Sequence, residues 1–384
     1  MKDRRVFVRV DFNVPLRDGK VGETHRIEAT LPTLRRVSAQ AKKTIVASHL
    51  GRPGGKRLTE SSLAPVRDIL SRLLATPVLL APDCIGVEVE ALVHDPRQPG
   101  VILLENLRFH RGEEDNDPDF AQALASLAEV YVNDAFGTAH RAHASTAGMV
   151  KFFREKGAGF LFKKEVDYLS RLLSAPERPL VALLGGAKVS DKIGVLRNLI
   201  PKVDGLLIGG ALAYTFLKAK GISVGKSLVE EDHVPLAAEL IAQAERLEVP
   251  LLLPVDHVTA QGVQGDQGPV IVEDSIPLDR MGLDIGPKTV IQFTQEVGKA
   301  KMVLWNGPLG MFEVERFSHG TRAVALALTR GNAISIIAGG DTVAAAHEAG
   351  VEERISHLST GGGATLEFLE GKKLPGVAAL EGPD

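Results

Sequence analysis

Short apolar runs alternate with longer amphipathic segments along the first half of the chain. The apolar runs predict buried strands at Val6–Val10, Thr44–Ala47, Pro77–Leu80, Val101–Leu104 and Val130–Val132. Between them, Ile27–Ala41 and Leu63–Leu74 carry apolar residues at helical spacing. Strands that alternate with helices are typical of βαβ units, so this half predicts a parallel sheet.

The second half repeats the pattern. Strands are predicted near Leu180–Leu184, Leu206–Ile208, Leu251–Leu253, Met302–Leu304 and Ile334–Ile337. Before them, Phe160–Leu173 places its leucines and Val166 near one helical face, and a proline-containing stretch follows. This segment predicts a helix that connects two domains. The Gly- and Gln-rich stretch Gln261–Asp274 predicts an excursion on the surface.

Each apolar run stops at a cluster of polar residues or glycines. The clusters of the first half are rich in Arg and His, as in TIVASHLGRP and VILLENLRFH, and we call them the cationic edge. Those of the second half are rich in Gly with Asp, Asn and Lys, as in VALLGGAKVSDK and ISIIAGGDT, and we call them the glycine edge. Ligands of open α/β sheets bind at the carboxyl ends of parallel strands. The pattern therefore predicts two sheets and two different ligands.

Composition narrows the class of protein. A length of 384 residues favours two domains, and a net charge of -3 lacks the basic excess of a general nucleic-acid binder. Cys84 is the only cysteine, which excludes an internal disulfide and a multi-cysteine metal site. No apolar stretch approaches the roughly 20 residues of a membrane span, and no signal-peptide pattern opens the chain. We expect a cytoplasmic protein.

The cationic edge favours a small ligand with several negative charges. Its candidates are Arg9, Asp11, Asn13, Arg26, His49, Arg52, Arg108, His140, Arg141 and His143. Arginine presents a planar fork of donors that matches carboxylate and phosphate oxygens. A single loop arginine is often only solvated, but four such clusters at four strand ends argue for a site. His140 and His143 fit anion binding better than metal binding, since no carboxylate or cysteine stands at ligand spacing.

The glycine edge favours phosphate. Gly185 and Gly186 precede Lys188 and Lys192, which share one helix face if a helix has begun by then. The stretch Gly339-Gly340-Asp341-Thr342 also has a pair of glycines after a predicted strand, and its aspartate carboxylate suits a nucleotide-bound Mg²⁺. The stretch from Thr360 to Thr365 opens a third predicted helix. One such turn is usually structural, but three in one domain argue for a ligand.

Two nucleotide-binding fingerprints are excluded. The stretch from Gly221 to Ser227 resembles a P-loop, but its spacing is one residue short and the preceding LAYTFLKAK predicts a helix where a strand is required. No G-x-G-x-x-G follows a predicted strand, which disfavours a nicotinamide dehydrogenase.

Assembled in order, these clusters closely resemble the phosphoglycerate kinase family. The matches span nearly the full chain, and they are RVDFNVP (9–15), RIEATLPT (26–33), SHLGRP (48–53), ENLRFH (105–110), NDAFGTAHRAHAST (133–146), GGAKVSDKI (185–193), WNGPLGMFE (305–313), GGDT (339–342) and STGGGATLEFLEGK (359–372).

The resemblance implies reversible phosphoryl transfer from 1,3-bisphosphoglycerate to MgADP, in line and after hinge closure, giving 3-phosphoglycerate and ATP. It implies an α/β monomer of two Rossmann-like domains with parallel sheets. The expected domains are a phosphoglycerate-binding domain at 1–159, joined by the C-terminal segment of about 361–384, a hinge helix at 160–174, and a nucleotide-binding domain at 175–360. Its partners would be these small molecules, with no nucleic acid or membrane.

The resemblance also implies a role for each matched residue. The residues expected to hold phosphoglycerate are Asp11, Asn13, Arg26, His49, Arg52, Arg108 and Arg141. Those expected to act on the transferring phosphoryl group are Arg26, Lys188 and Gly340. The expected nucleotide residues are Lys192, Gly209, Gly210, Gly282, Leu283, Asn306, Pro308, Met311, Glu313, Gly339, Gly340, Asp341 and Thr342, with Glu313 on the ribose and Asp341 facing Mg²⁺.

Two departures from the family pattern leave every charged group in place. Ala338 stands where the family often has a third glycine, and GGALAY replaces a GGGMAF-like stretch. We expect these changes to tune the nucleotide fit. Two other classes stay open, a non-catalytic protein that senses a sugar phosphate and a nucleotide, and a dehydrogenase on a similar scaffold.

Overall fold

The structure is a computed structural model that describes residues 1–264 and 268–381. The chain divides into two compact units. Unit 1 comprises Met1–Asp167 and the C-terminal segment from Lys373, and unit 2 comprises Tyr168–Lys372. The boundary falls inside one long helix, Phe160–Ser174, in the stretch where the apolar pattern predicts a connecting helix. No helix among the described residues is long and apolar enough to cross a membrane.

A six-stranded parallel sheet organises unit 1. Its strands are β1 (Arg5–Arg9), β4 (Lys43–Ala47), β5 (Val78–Leu80), β6 (Val101–Leu103), β7 (Val130–Asn133) and β8 (Glu155–Ala158), and a short hairpin is formed by β2 (Leu16–Arg17) and β3 (Lys20–Val21). The strand order is β5-β6-β4-β1-β7-β8. The order places the ends of β6, β4, β1 and β7 side by side. Every residue of β4 is buried because helices cover both faces of the sheet.

The helices of unit 1 close two cores over this sheet. They are α1 (His25–Ser38), α2 (Ala64–Leu74), α3 (Val87–His94), α4 (Arg111–Glu114), α5 (Pro118–Ser126) and, near the C-terminus, α14 (Pro375–Glu381), and the helix at the boundary is α6 (Phe160–Ser174). Alternate residues of β1 face opposite cores, since Phe7 packs in one cluster and Val6 and Val8 pack in the other.

Unit 2 holds a second six-stranded parallel sheet. Its strands are β9 (Leu180–Leu184), β10 (Gly205–Ile208), β11 (Leu251–Leu252), β15 (Met302–Asn306), β16 (Ile334–Ala338) and β17 (His357–Leu358). The order is β11-β10-β9-β15-β16-β17. Trp305 is fully buried in the core on one face of this sheet. The predicted α/β class with two parallel sheets is confirmed.

The helices of unit 2 lie between these strands in the sequence, except for the last one, which follows β17. They are α7 (Ile193–Leu199), α8 (Leu212–Ala219), α9 (Val234–Arg246), α10 (Pro287–Lys299), α11 (His319–Leu328), α12 (Gly340–Glu348) and α13 (Gly363–Leu369). Helix α8 precedes the P-loop-like stretch, which confirms the reason for rejecting that motif.

A three-stranded antiparallel sheet of unit 2 has no counterpart in the sequence prediction. It consists of β12 (Asp256–Ala260), β13 (Val270–Glu273) and β14 (Met281–Ile285), in the order β13-β12-β14. The excursion predicted at Gln261–Asp274 is therefore partly wrong, because β13 pairs with β12, although three of the four β13 residues are exposed. Residues 265–267 of that excursion lie outside the described residues.

Asp256 fastens this small sheet to helix α10. Its side chain is buried, and its two carboxylate oxygens accept the backbone N–H groups of Lys288 and Thr289, each at 2.8 Å. The Thr289 hydroxyl donates to the same carboxylate at 2.6 Å. The first N–H groups of a helix lack partners inside the helix, so Asp256 acts as a cap supplied by a neighbouring strand.

We expect Asp256→Ala to lower the free energy of unfolding of unit 2 by about 2 kcal/mol, because the N–H of Lys288 and the buried N–H and hydroxyl of Thr289 lose their acceptor. Trp305 is the only tryptophan, so its fluorescence in a urea titration reports on unit 2. Asp279→Ala is the control, since that side chain is exposed. Equal stability of the two variants would contradict the capping role.

Candidate functional site

The carboxyl ends of four neighbouring strands carry the predicted residues of unit 1. Asp11 and Asn13 follow β1, His49 and Arg52 follow β4, Arg108 follows β6 and Arg141 follows β7. Because these strands are adjacent in one parallel sheet, their loops open at one edge. The structure thus places the predicted cationic edge on one side of unit 1.

An ion pair joins the first of these loops to helix α1. The NH1 group of Arg26, in the first turn of α1, lies 2.5 Å from Oδ2 of Asp11. Burial raises the pKa of Asp11, but the charges of Arg26 and Arg9, together with the backbone N–H of Asn13, outweigh burial and lower that pKa below its ordinary value. The Asp11 carboxylate is therefore ionised and orients Arg26, whose side chain keeps about a third of its surface exposed at 36%.

Hydrogen bonds lock the loops after β1 and β4 together. The backbone N–H of Phe12 donates to Ser48 Oγ at 2.8 Å, and that of Gly51 donates to Asn13 Oδ1 at 2.9 Å. His49 lies buried between these bonds, and burial lowers its pKa well below the ordinary value against the opposing effect of Asp11. The imidazole is thus neutral and contributes a hydrogen-bonding group in place of a charge.

Arg108 lies in a short 3-10 turn, Leu107–Phe109, and is buried. Its NH1 group donates to the Gly51 carbonyl at 2.7 Å, and its Nε lies 3.4 Å from Glu114 Oε1. Burial lowers the pKa of Arg108 from its ordinary value, with Glu114 opposing that effect. The side chain is fixed in position before any ligand arrives.

Arg9 is a structural residue, which corrects its place among the predicted ligand-binding candidates. Its side chain is fully buried, and its Nε donates to Ser145 Oγ at 2.7 Å. Its NH2 lies 3.8 Å from Glu113 Oε1, and that oxygen lies 4.0 Å from Nδ1 of His143. Arg9 and His143 thus face a buried carboxylate beneath the edge. Glu113 is one residue that the sequence reasoning missed, since no spacing pattern marked it.

Arg52 and Arg141 differ from these buried groups because both are exposed. The Nε of Arg141 lies 3.2 Å from the ring of the neighbouring His140. An exposed guanidinium on a preorganised edge is free to adjust to an incoming anion, so these two arginines are the adaptable part of the cationic edge.

In unit 2, three loops meet through their backbones at the carboxyl edge of the sheet. Gly186 N donates to the Pro308 carbonyl at 2.8 Å, and Gly210 N donates to the Leu309 carbonyl at 3.0 Å. A Cβ on Gly185 would lie 2.2 Å from the Pro308 carbonyl oxygen, so only glycine fits there. The glycines after β9 and β10 therefore serve close backbone packing against the loop after β15.

The helix after this glycine pair starts later than the sequence analysis expects. Helix α7 begins at Ile193, so Lys188 and Lys192 precede it and do not share a helix face. Lys188 is exposed on the loop, whereas Lys192 is buried. The two lysines are thus suited to different tasks.

Lys192 donates through its ammonium group to Oδ1 of Asn306, the last residue of β15. The Asn306 amide in turn donates to the Ala338 carbonyl at 2.6 Å, at the end of β16. Burial lowers the pKa of Lys192 to about 8, against the carboxylates of Asp191 and Asp341. Among the residues that the structure describes, no carboxylate is hydrogen-bonded to this buried ammonium group.

The loop after β16 supplies a helix N-terminus. Gly339 has a φ of 95°, a conformation that favours glycine, and α12 begins at Gly340. Thr342 is buried and its hydroxyl accepts the N–H of Gly307 at 2.7 Å, while Asp341 is exposed in the first turn. The structure confirms the helix start predicted at this glycine pair.

The remaining predicted nucleotide residues lie around β14 and the loop after β15. The backbone N–H of Met311 donates to the Leu283 carbonyl at 2.8 Å, and Glu313 is exposed beside a cavity of about 220 Å³. Gly282 is pressed against Tyr214, whose hydroxyl oxygen would lie 2.0 Å from a Cβ at that position. Tyr214 is a residue that the sequence reasoning missed, because nothing in its local pattern separates it from the apolar face of α8.

Lys192→Met is expected to raise the free energy of unfolding of unit 2 at pH 7, on the order of 2 kcal/mol, since burying the ammonium is unfavourable. Between pH 8 and 10.5 the native lysine is neutral while the unfolded one stays protonated, so the wild type gains stability and the difference shrinks. Urea titrations across pH 7–10 measure this change. Lys188→Met is the control, since that lysine is exposed, and a difference for Lys192→Met that does not change with pH would contradict the prediction.

Comparisons with known proteins agree with one another. The family model described as phosphoglycerate kinase matches residues 1–372. A curated phosphoglycerate kinase of Anaeromyxobacter dehalogenans (strain 2CP-C) is 56% identical over 382 residues, covering 98% of this chain and 96% of the relative. One of Koribacter versatilis (strain Ellin345) is 52% identical over 390 residues, covering 99% and 97%.

Solved structures give the same result. The phosphoglycerate kinase from Coxiella burnetii has 42% sequence identity and a TM-score of 0.90, with 99% of this chain and 96% of that chain covered. The one from Pyrococcus horikoshii OT3 has 30% identity and a TM-score of 0.83, with the same coverage. A family match over nearly the whole chain, together with relatives above half identity, shows that the chain belongs to the phosphoglycerate kinase family.

Proposed function

We propose that this chain catalyses reversible phosphoryl transfer from the acyl phosphate of 1,3-bisphosphoglycerate to MgADP, giving 3-phosphoglycerate and ATP. As a member of its family the chain is a kinase that acts on a carboxyl group. The observation that carries the proposal is the pair of strand-end edges, one built from guanidinium groups and the other from glycine backbone and lysine.

Unit 1 supplies the proposed phosphoglycerate residues. Support comes first from two arginines that the protein already holds in position, namely Arg26, which is paired with Asp11, and the buried Arg108. The exposed Arg52 and Arg141 add two further guanidinium groups. The neutral His49 and the amide of Asn13 add hydrogen-bonding groups without adding charge. Guanidinium groups bind carboxylate and phosphate in bidentate fashion, and phosphoglycerate carries both.

Unit 2 supplies the proposed nucleotide residues. The buried Lys192 and the N-terminus of α12 at Gly339 and Gly340 favour phosphate, because backbone N–H groups and the helix dipole attract negative charge. The other proposed contacts are Gly209, Gly210, Gly282, Leu283, Asn306, Pro308, Met311, Glu313, Asp341 and Thr342.

The residues at this edge fit a nucleotide-bound Mg²⁺. Asp341 presents an exposed carboxylate at the start of α12, and hard cations prefer carboxylate and phosphate oxygens. When bound, the ion would neutralise charge on the phosphate oxygens. We assign Asp341 to hold it through the nucleotide.

The proposed mechanism needs positioning and charge neutralisation more than acid–base chemistry. The leaving group of an acyl phosphate is a carboxylate, a good leaving group, so we assign no general acid or base. Arg26, Lys188 and the backbone N–H of Gly340 would stabilise charge on the transferring phosphoryl oxygens. Lys188 is exposed on its loop, which suits a group that engages only the phosphoryl group in flight.

The cytoplasmic location and the monomeric state remain predictions. The absence of nucleic-acid binding is also a prediction, and the net charge of -3 supports it.

A coupled assay for ATP formation from 1,3-bisphosphoglycerate and ADP tests the proposal directly. Formation of ATP that requires added Mg²⁺ is the expected result. Binding of both ligands without ATP formation would support a non-catalytic sensor, and hydride transfer with a nicotinamide cofactor would support a dehydrogenase.

Lys188→Ala is expected to lower kcat about a hundredfold while KM for both substrates changes little. The loss of one aligned charge on the transition state is worth on the order of 3 kcal/mol. Steady-state kinetics measure both constants. Lys301→Ala is the control, because Lys301 is an exposed lysine of unit 2 just before β15, at the opposite edge of the sheet. A near-normal kcat for Lys188→Ala would end the assignment.

Arg52→Ala and Arg141→Ala are expected to weaken 3-phosphoglycerate binding about tenfold and to leave ADP binding unchanged, since a hydrogen bond to a charged group contributes roughly 1.5 kcal/mol or more. Calorimetry with each ligand alone separates the two affinities. Arg36→Ala, on the exposed surface of α1, is the matched control. Equal losses for both ligands would show that the residues belong to a different site.

A further inference from the structure

Three potential metal ligands of different chemistry meet in unit 1, apart from the residues of the proposed reaction. Asp83 and Cys84 follow β5, and His110 follows the 3-10 turn that carries Arg108. One ligand atom from each lies within 4.8 Å of the other two.

Hydrogen bonds already orient these groups toward one another. Asp83 Oδ1 lies 2.6 Å from Nε2 of His110, and the backbone N–H of Cys84 donates to the same oxygen at 2.6 Å. The Cys84 thiol donates to the Glu105 carbonyl at 3.0 Å. The imidazole is stacked on Phe120 with a centroid distance of 5.0 Å, which fixes the ring plane.

Burial arranges the group as a half-open site. Cys84 is fully buried, whereas the side chains of Asp83 and His110 keep 34% and 29% of their surface exposed. An ion from solvent therefore reaches the carboxylate and the imidazole first and finds the sulfur behind them. Arg57 lies beside the group, with its NH1 3.7 Å from Asp83 Oδ2 and its NH2 donating to the Pro82 carbonyl, and 59% of its side chain is exposed.

Another use of the cysteine fits the structure less well. A reactive thiol needs access and a low pKa, but Cys84 has no exposed surface, and burial and the charge of Asp83 raise its pKa well above the ordinary value. Without a cation the thiol is therefore not a nucleophile, whereas a bound metal ion would stabilise the thiolate directly.

We propose that Asp83, Cys84 and His110 form a binding site for a borderline-soft divalent cation, of which Zn²⁺ is the natural probe. Mixed sulfur, nitrogen and oxygen donors are the ligand types that this ion prefers, at bond lengths of about 2.0–2.3 Å. Binding replaces the thiol proton of Cys84, which passes to solvent, and His110 binds through Nε2 as a neutral imidazole that carries its proton on Nδ1. The fourth position is left to water or to the Glu105 carbonyl.

Cobalt(II) provides the direct test, because a thiolate–cobalt bond gives a charge-transfer band in the near ultraviolet and a tetrahedral site gives strong visible bands. The full-length reduced protein, without nucleotide, is titrated with Co²⁺ and then with Zn²⁺. We expect one Co²⁺ per chain with both sets of bands, displaced by one equivalent of Zn²⁺. If the wild type shows no charge-transfer band when it is titrated with Co²⁺, the proposal is wrong, and no variant is needed to show this.

Variants then assign the ligands. Cys84→Ser is expected to abolish the charge-transfer band, and His110→Gln to weaken binding at least tenfold, with circular dichroism checking that each variant is folded. The matched control is His347→Gln, since His347 forms a similar pair with Glu352 at 2.9 Å but has no cysteine in its cluster. Binding that survives Cys84→Ser or that is lost in His347→Gln would overturn the assignment.

Discussion

A parallel sheet that is buried on both faces can present polar side chains only where its strands end, and both units of the chain are built around this constraint. Strands β4 and β9 are buried at every position. The polar chemistry is consequently confined to the loops that follow the strands. Strand order then decides which loops meet, so that β6, β4, β1 and β7 bring together the cations of unit 1.

The same constraint explains how much of the fold the sequence could predict. A run of apolar strand residues followed at once by charged residues or glycines can be recognised from the local sequence alone. The main strands of both sheets were therefore predicted close to their observed bounds. The antiparallel sheet of unit 2 was not predicted because its strand β12 begins with Asp256 and His257, two polar residues that are buried there. Their burial depends on α10 and α8, which local patterning does not reveal.

The sequence predicted which residues gather at the ends of the strands, but it did not predict the structural role of each one. Arg9 and Arg108 follow similar apolar runs, yet Arg9 faces the buried Glu113 and Arg108 is held by the Gly51 carbonyl. The late start of α7 has the same origin. The loop after Gly185 packs against Pro308, more than a hundred residues away in sequence, before a helix can begin. Long-range partners of this kind decide which charged group is structural and which is exposed to a ligand.

The cationic edge and the glycine edge differ in the groups that surround their buried positive charges. In unit 1 each buried guanidinium has a carboxylate nearby, as Arg9 has Glu113 and Arg108 has Glu114, so the cations stay charged and fixed while His49 stays neutral. In unit 2 Lys192 is bonded to the amide of Asn306, and burial lowers its pKa to about 8. An anion that approaches Lys192 therefore supplies the missing negative charge and raises that pKa, whereas an anion at Arg26 must compete with Asp11. Phosphate binding and protonation are thus linked at the glycine edge, while at the cationic edge the charge is already set by the protein.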